Sequence, residues 1–194
     1  LKMNQKKYLI TPTLLNSWKY AISNENDYGN LEDFIKVLSK EPMVESEAIK
    51  TGYQFEDYMV KNYEPTMNGC YQVKGYKDVN TKTGTYLLYG RMDCVKAGKI
   101  YDYKYTGSYD VGKFVNSYQT PVYFELVPEA YEFEYIICNN YKEGKTLEDL
   151  NIYHEIYKRE EIKINICDEI DNFISWLKVN HLLELYQDKW LCKY

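Results

Sequence analysis

Several things are scarce in this sequence. No apolar run approaches the roughly 18 residues that cross a membrane, and no signal-peptide pattern is visible. The 5 cysteines, at positions 70, 94, 138, 167 and 192, are odd in number and form no CxxC pair. That excludes a disulfide framework and a zinc knuckle, and it reads as reduced core thiols in a cytosolic protein. An excess of positive charge is missing too. A formal charge of −5 excludes a protein that coats nucleic acid by bulk electrostatics, but not an enzyme that holds phosphate through metal ions and a local basic rim. No internal repeat, low-complexity segment or linker is evident, so the 194 residues read as one domain with one well-filled core. Leu1 and Lys2 precede Met3, which reads as the initiator.

What is abundant is tyrosine, at 23 copies. Beside so much Lys, Asn, Ile and Glu, it reads as the signature of an AT-rich genome more simply than as a base-stacking surface. The informative stretch is Tyr89 to Tyr105, YGRMDCVKAGKIYDYKY. Two runs of β-branched and aromatic residues flank Ala97-Gly98, where glycine supplies the positive φ of a tight hairpin loop. Centring the loop there sets Asp93 opposite Asp102, Arg91 opposite Lys104 and Val95 opposite Ile100. Alternation then puts those six residues on one face and Met92, Cys94, Tyr101, Tyr103 and Tyr105 on the other, apolar one. Like charges directly opposed destabilise a sheet, so something positive belongs between the aspartates: a hard divalent cation, or Arg91 or Lys104. A three-residue loop with a bulge would slip the pairing and separate the two aspartates.

Elsewhere the chain alternates between helical and extended patterns. Thr11-Pro12 starts a helix, with Leu14, Leu15, Trp18, Ala21 and Ile22 on its apolar stripe. A polar loop over 24–30 precedes a short helix from Asn30 to Lys40. A third helix, about Glu45 to Tyr63, places Glu56 along the middle of a stripe formed by Ile49, Gly52, Met59, Val60 and Tyr63. A carboxylate there needs an ion pair, hydrogen bonds or a metal. Strands are expected at Cys70–Val79, Gly84–Val95, Lys99–Thr106, Tyr131–Cys138 and Asn151–Lys158. A helix over Lys113–Leu126, kinked or restarted at Thr120-Pro121, carries Gln119 inside a stripe of Val115, Val122, Tyr123 and Leu126. Gly107–Gly112 reads as a mobile loop, His154 as a surface or satisfied histidine. Two helices close the chain, with Ile166, Ile170, Phe173, Ile174 and Leu177 on one and Leu182 to Trp190 on the other.

In order, GYQFE ending at Glu56, YGRMD ending at Asp93, IYDYK ending at Lys104 and QTPVY from Gln119 to Tyr123 resemble the PD-(D/E)xK nuclease superfamily. The likeness is greatest to its RecB-like branch of phage exonucleases and CRISPR-associated nucleases, and it covers roughly residues 8 to 140. A lone acidic-x-Lys triplet carries little, since Glu161-Ile162-Lys163 is one too. The resemblance implies an α/β fold with a restriction-endonuclease-like core: a central mixed sheet flanked by helices in α-β-β-β-α-β order, with extra terminal helices. It further implies that Glu56, Asp93, Asp102 and the carbonyl of Tyr103 bind Mg²⁺ or Mn²⁺, as one or two ions. Lys104 would activate or orient water, and Gln119 and Tyr123 would support the site. Arg91 could grip a phosphate or pair with an aspartate.

Two departures stand out. The early metal-touching histidine common in that branch is absent, and with Cys70 the first cysteine no iron–sulfur cluster is expected. The expected function is metal-dependent hydrolysis of DNA by a phage or prophage exonuclease in recombination, replication or end-processing, inside a bacterial host cell. Its partners would be DNA, with RNA open, and a single-strand annealing or other recombination protein. The alternative is a nuclease-fold protein acting chiefly by binding, as an anti-defence factor or recombination accessory.

Overall fold

Thr11 opens the first helix as its chemistry dictates: its hydroxyl accepts the Leu14 N–H at 3.2 Å, and Pro12 takes the first helical position, where no N–H is needed. The computed structural model describes residues 6–23, 28–42 and 44–192, and of 28 and 29 the backbone alone. Met3 and most of the polar loop at 24–30 lie outside the described residues. Helix α1 spans Pro12–Ser23, α2 Tyr28–Leu38 and α3 Glu47–Asn62, the last capped by Ser46. Strands β2 (Cys70–Asn80), β3 (Thr85–Lys96) and β4 (Lys99–Tyr105) follow, then α4 (Gln119–Leu126), β5 (Glu132–Cys138) and β6 (Ile152–Lys158). The chain closes with α5 (Ile166–Val179) and α6 (Leu183–Lys189).

One strand was not expected. Tyr8–Ile10 forms β1, parallel to β3 at Tyr86–Leu88. Three residues are too few to show a period, and their partner lies far along the chain. The sheet runs β1-β3-β4-β5-β6, with β2 on the other side of β3. It is mixed: β4 and β5 are parallel, joined across α4, while β2–β3, β3–β4 and β5–β6 are antiparallel. This is the expected α/β plan, a central mixed sheet flanked by helices.

Each face of the sheet buries its own apolar cluster. One is covered by α1, α2, α4, α5 and α6, with Leu14, Trp18, Val122, Phe173 and Tyr186 packed on Leu88, Met92, Ile100 and Phe133. The other lies under α3, where Phe55 and Met59 meet Cys94, Tyr101, Tyr103 and Ile136. Residues 113 to 116 are turns, not helix, and α4 starts afresh at Gln119. The ring of Pro121 cannot accept an unbroken helix through the residues before it. Gly107–Gly112 is tied down: Glu155 accepts the Tyr109 hydroxyl at 3.0 Å and the Gly112 N–H at 2.9 Å.

Candidate active site

The hairpin turn is the expected one. Ala97 and Gly98 both have positive φ, 50° and 76°, and the ladder pairs Lys96 with Lys99, Val95 with Ile100 and Cys94 with Tyr101. There the pairing stops, although β4 continues to Tyr105. Since β1 covers β3 only at Tyr86–Leu88, residues 89 to 93 face a gap on that side. Side chains serve the backbone within it. The Tyr123 hydroxyl donates to the Arg91 carbonyl at 2.9 Å, and the Tyr103 N–H donates to Asp93 Oδ2 at 3.0 Å. Gly90 lets α4 approach, because a Cβ there would come within 2.6 Å of the Tyr123 ring.

At the same level the pleat inverts. Met92 and Val73 belong to the cluster under α4, whereas Cys94 and Tyr71, two positions away, belong to the cluster under α3. The pairs Tyr71–Cys94 and Val73–Met92 keep one register across this point, so both strands turn over together. Gln72, at φ 52°, stands there opposite Asp93. This corrects the expected alternation: Met92 shares the face of Ile100 and Asp102, and Arg91 lies on the opposite face from Lys104.

Asp102 is 2% exposed. Gln119 Nε2 donates to its Oδ1 at 2.8 Å and lies 3.4 Å from the Tyr123 hydroxyl. Oδ2 has the Lys104 ammonium 2.5 Å away but, among the described residues, no well-directed hydrogen bond. Burial, then the charges of Asp102 and Glu56, push the Asp93 carboxyl up to about 8. Burial likewise raises Glu56, against the pull of the Arg91 guanidinium. The Gln72 amide donates to the Glu56 carboxylate. Three carboxyl groups thus crowd one another, with Lys104 and Arg91 as the nearby cations. Among the described residues no three His, Cys, Asp or Glu side chains stand close enough together to chelate an ion as they are.

The fold therefore gathers Asp93, Asp102, Lys104, Glu56, Gln119, Tyr123 and the backbone of Tyr103 around the gap. Other expectations change in detail. The buried stripe of α3 centres on Phe55 and Met59, with Glu56 half-buried on its flank. Val115 is 55% exposed, so Gln119 opens a helix rather than lying inside a stripe. Cys94 and Cys138 are core thiols, but Cys70 is exposed and Cys167 and Cys192 are half-buried. His154 is satisfied, with Nδ1 2.7 Å from Glu134. Sequence reasoning missed Gln72, whose place between Tyr71 and Val73 looks like ordinary alternation. It also missed Tyr135, paired with Asp102 on β5, and Thr120, whose buried hydroxyls lie near one another but make no well-directed hydrogen bond among the described residues.

No family model and no curated protein matches the chain. Solved structures do. The protein SSO0001 is 12% identical, with a TM-score of 0.54 over 90% of this chain and 79% of its own. LHK-Exo, solved in complex with dAMP, is 14% identical, with a TM-score of 0.50 over 88% of each chain. At such identities the likeness concerns the fold.

Proposed function

We propose that the chain is a metal-dependent deoxyribonuclease of the RecB-like PD-(D/E)xK type, acting as a phage or prophage exonuclease in recombination, replication or end-processing. The observation that carries this reading is the gap beside β3, where three carboxyl groups, a lysine and a glutamine from four elements converge. The fold shared with the exonuclease LHK-Exo supports it. The donors fit a hard divalent ion: they are all oxygens, Asp102 Oδ2 lacks a directed hydrogen bond, and the Asp93 carboxyl resists ionising without a positive neighbour. Asp93 and Asp102 would hold Mg²⁺ or Mn²⁺, with the Tyr103 carbonyl and with Glu56 once released by Gln72. Bound there, one or two ions would supply a nucleophilic hydroxide near neutral pH and neutralise charge on the transition-state phosphorane.

The chain's own groups do the rest. The Lys104 ammonium, fixed by Asp102, orients the attacking water and adds positive charge where it develops. Gln119 holds Asp102 in its rotamer, and Tyr123 holds the strand that carries Asp93. Arg91, on the other face, takes a backbone phosphate. The test is incubation of linear double-stranded, single-stranded and circular DNA with the protein in Mn²⁺, Mg²⁺ or EDTA, beside Asp102→Ala and Lys104→Ala. Metal-dependent cleavage abolished by both substitutions is the expected result. Cutting of circles would make the enzyme an endonuclease. The binding role is favoured by the engagement of Glu56 with Gln72, and wild-type protein that binds but never cleaves DNA or RNA would establish it instead.

A further inference from the structure

Strands β2 and β3 carry an unusual sequence of cross-strand pairs on the face turned away from α4. Lys74 lies directly opposite Arg91, and in the next row on that face Tyr76 lies opposite Tyr89. Two cations opposed on neighbouring strands destabilise a sheet. Both are exposed, and among the described residues neither is in an ion pair. The sheet gains nothing from this opposition, and within the chain only Arg91 has a carboxyl group, Glu56, near enough to feel its charge. Helix α3 does not cover it, for α3 packs on β4.

The aromatic row beside it is also open. The Tyr76 and Tyr89 rings lie 4.9 Å apart at 32°, and Tyr76 is 57% exposed. Such a pair stabilises a sheet, but that does not require a ring so far out in water. Beyond the tyrosines lies a groove of about 520 Å³, floored by Trp190 and flanked by Lys40 and Lys189. Lys40 Nζ stands 4.3 Å above the Trp190 ring. No acidic residue lines that groove. In a chain of formal charge −5, this band gathers Lys74, Arg91, Lys40 and Lys189, the last paired with Asp188 at 3.3 Å, beside exposed aromatic faces.

The band begins at the candidate active site, because Arg91 is close enough to Glu56 to act on its charge. Successive rows on one face of a strand are about 7 Å apart, on the order of one step of an extended nucleotide chain. Cations followed by exposed rings match a polyanion whose repeating units each carry a flat aromatic face. In a duplex those faces are stacked on one another and hidden, whereas a single strand offers them.

We infer that this face of β2–β3 is a platform for single-stranded DNA, with phosphate on Lys74 and Arg91 and bases stacked on Tyr76 and Tyr89, leading to or from the gap that holds Asp93 and Asp102. The inference rests on the proposed nuclease reading for its direction towards the gap, but its test does not require cleavage. Fluorescence anisotropy of a labelled oligothymidylate, in EDTA at low salt, reads binding alone. Tyr76→Ala is expected to weaken binding about tenfold, within the range for one lost stacking contact, while Tyr76→Trp binds at least as tightly as wild type. Lys74→Glu should weaken it comparably and flatten its salt dependence. Unchanged thermal unfolding of these surface variants shows that they fold.

If Tyr76→Ala and Lys74→Glu bind as wild type does, or wild type does not bind, the platform is overturned. A loss caused instead by Lys19→Glu would place the strand in the groove beside Lys104 and also overturn it. Loss of binding at Tyr76 and Lys74 in a protein that cleaves nothing would uphold the platform and reject the nuclease. Metal-dependent cleavage with unaltered binding in both variants would do the reverse.

Discussion

Asp102 on β4 and Glu155 on β6 are both carboxylates buried in one sheet, 2% and 7% exposed, and they are treated in opposite ways. Glu155 receives three donors: the hydroxyls of Tyr109 and Tyr157, at 3.0 and 2.6 Å, and the Gly112 N–H at 2.9 Å. Its charge is spread over a neutral network, and what it achieves is to anchor a loop. Asp102 receives one directed donor, from Gln119, and shares its surroundings with Asp93 and Glu56. Burying a carboxylate is expensive in both places. The fold offsets that expense at Glu155 with neutral donors, and at Asp102 with one amide and a single nearby cation, Lys104, set among three carboxyl groups. Burial alone does not mark a site; crowded carboxyl groups with too few donors do.

The largest expected effect separates the two by activity. Asp102→Asn should lower metal-dependent cleavage roughly 10³-fold, whereas Glu155→Gln should leave it within a few-fold. Equal losses in a gel-based cleavage assay would erase the distinction. Stability should move the other way. The Asp93 carboxyl, ordinarily ionised above about 3.8, is pushed up to about 8 in the fold. The stability contributed by its protonated form is therefore fully present below about pH 3.8 and is lost as pH rises towards 8. Asp93→Asn, which keeps an acceptor for the Tyr103 N–H, should melt with wild type near pH 4 and about 4 °C or more above it at pH 8 in EDTA. Saturating Mn²⁺ should raise the wild type and narrow that gap. Glu155→Gln should melt lower than wild type at pH 8, and a higher melting temperature would contradict its role as an anchor.

Smaller effects sharpen the account of supporting groups. Tyr123→Phe removes the donor to the Arg91 carbonyl and should cost about 1 kcal/mol in chemical denaturation, with a few-fold loss of cleavage. His154→Ala breaks a partly exposed pair with Glu134 and should change stability by less than about 1 kcal/mol. Its cleavage should not change.

Much of this was legible in the sequence, for reasons that differ by residue. The hairpin register followed from Ala97-Gly98, because a two-residue loop with positive φ at both positions fixes the pairs Lys96–Lys99, Val95–Ile100 and Cys94–Tyr101; the expected pairs Asp93–Asp102 and Arg91–Lys104 lie beyond the point where the ladder ends. Thr11-Pro12 marked its helix because capping is local. The inversion at Gln72 and Asp93 was not legible, since glutamine in the left-handed region has no local signature and the partner of its side chain, Glu56, lies on α3. For that reason alternation assigned Met92 and Arg91 to the wrong faces. Glu155 was missed because a charged residue on a strand looks like the solvent side of a pleat; two of its three donors come from a loop more than forty residues away. The convergence of Glu56, Asp93, Asp102, Lys104 and Gln119 was legible from their order along helix, strands and helix, though not the grip of Gln72 on Glu56.

The most direct measurement of the claim that under-bonded carboxyl groups make the site is Mn²⁺ binding, read from the loss of the free-ion electron paramagnetic resonance signal. Wild type and Glu155→Gln should bind one or two ions per chain, and Asp102→Asn should lose that binding. Retention of the ions by Asp102→Asn, or a wild type that leaves Mn²⁺ free in solution, would contradict it.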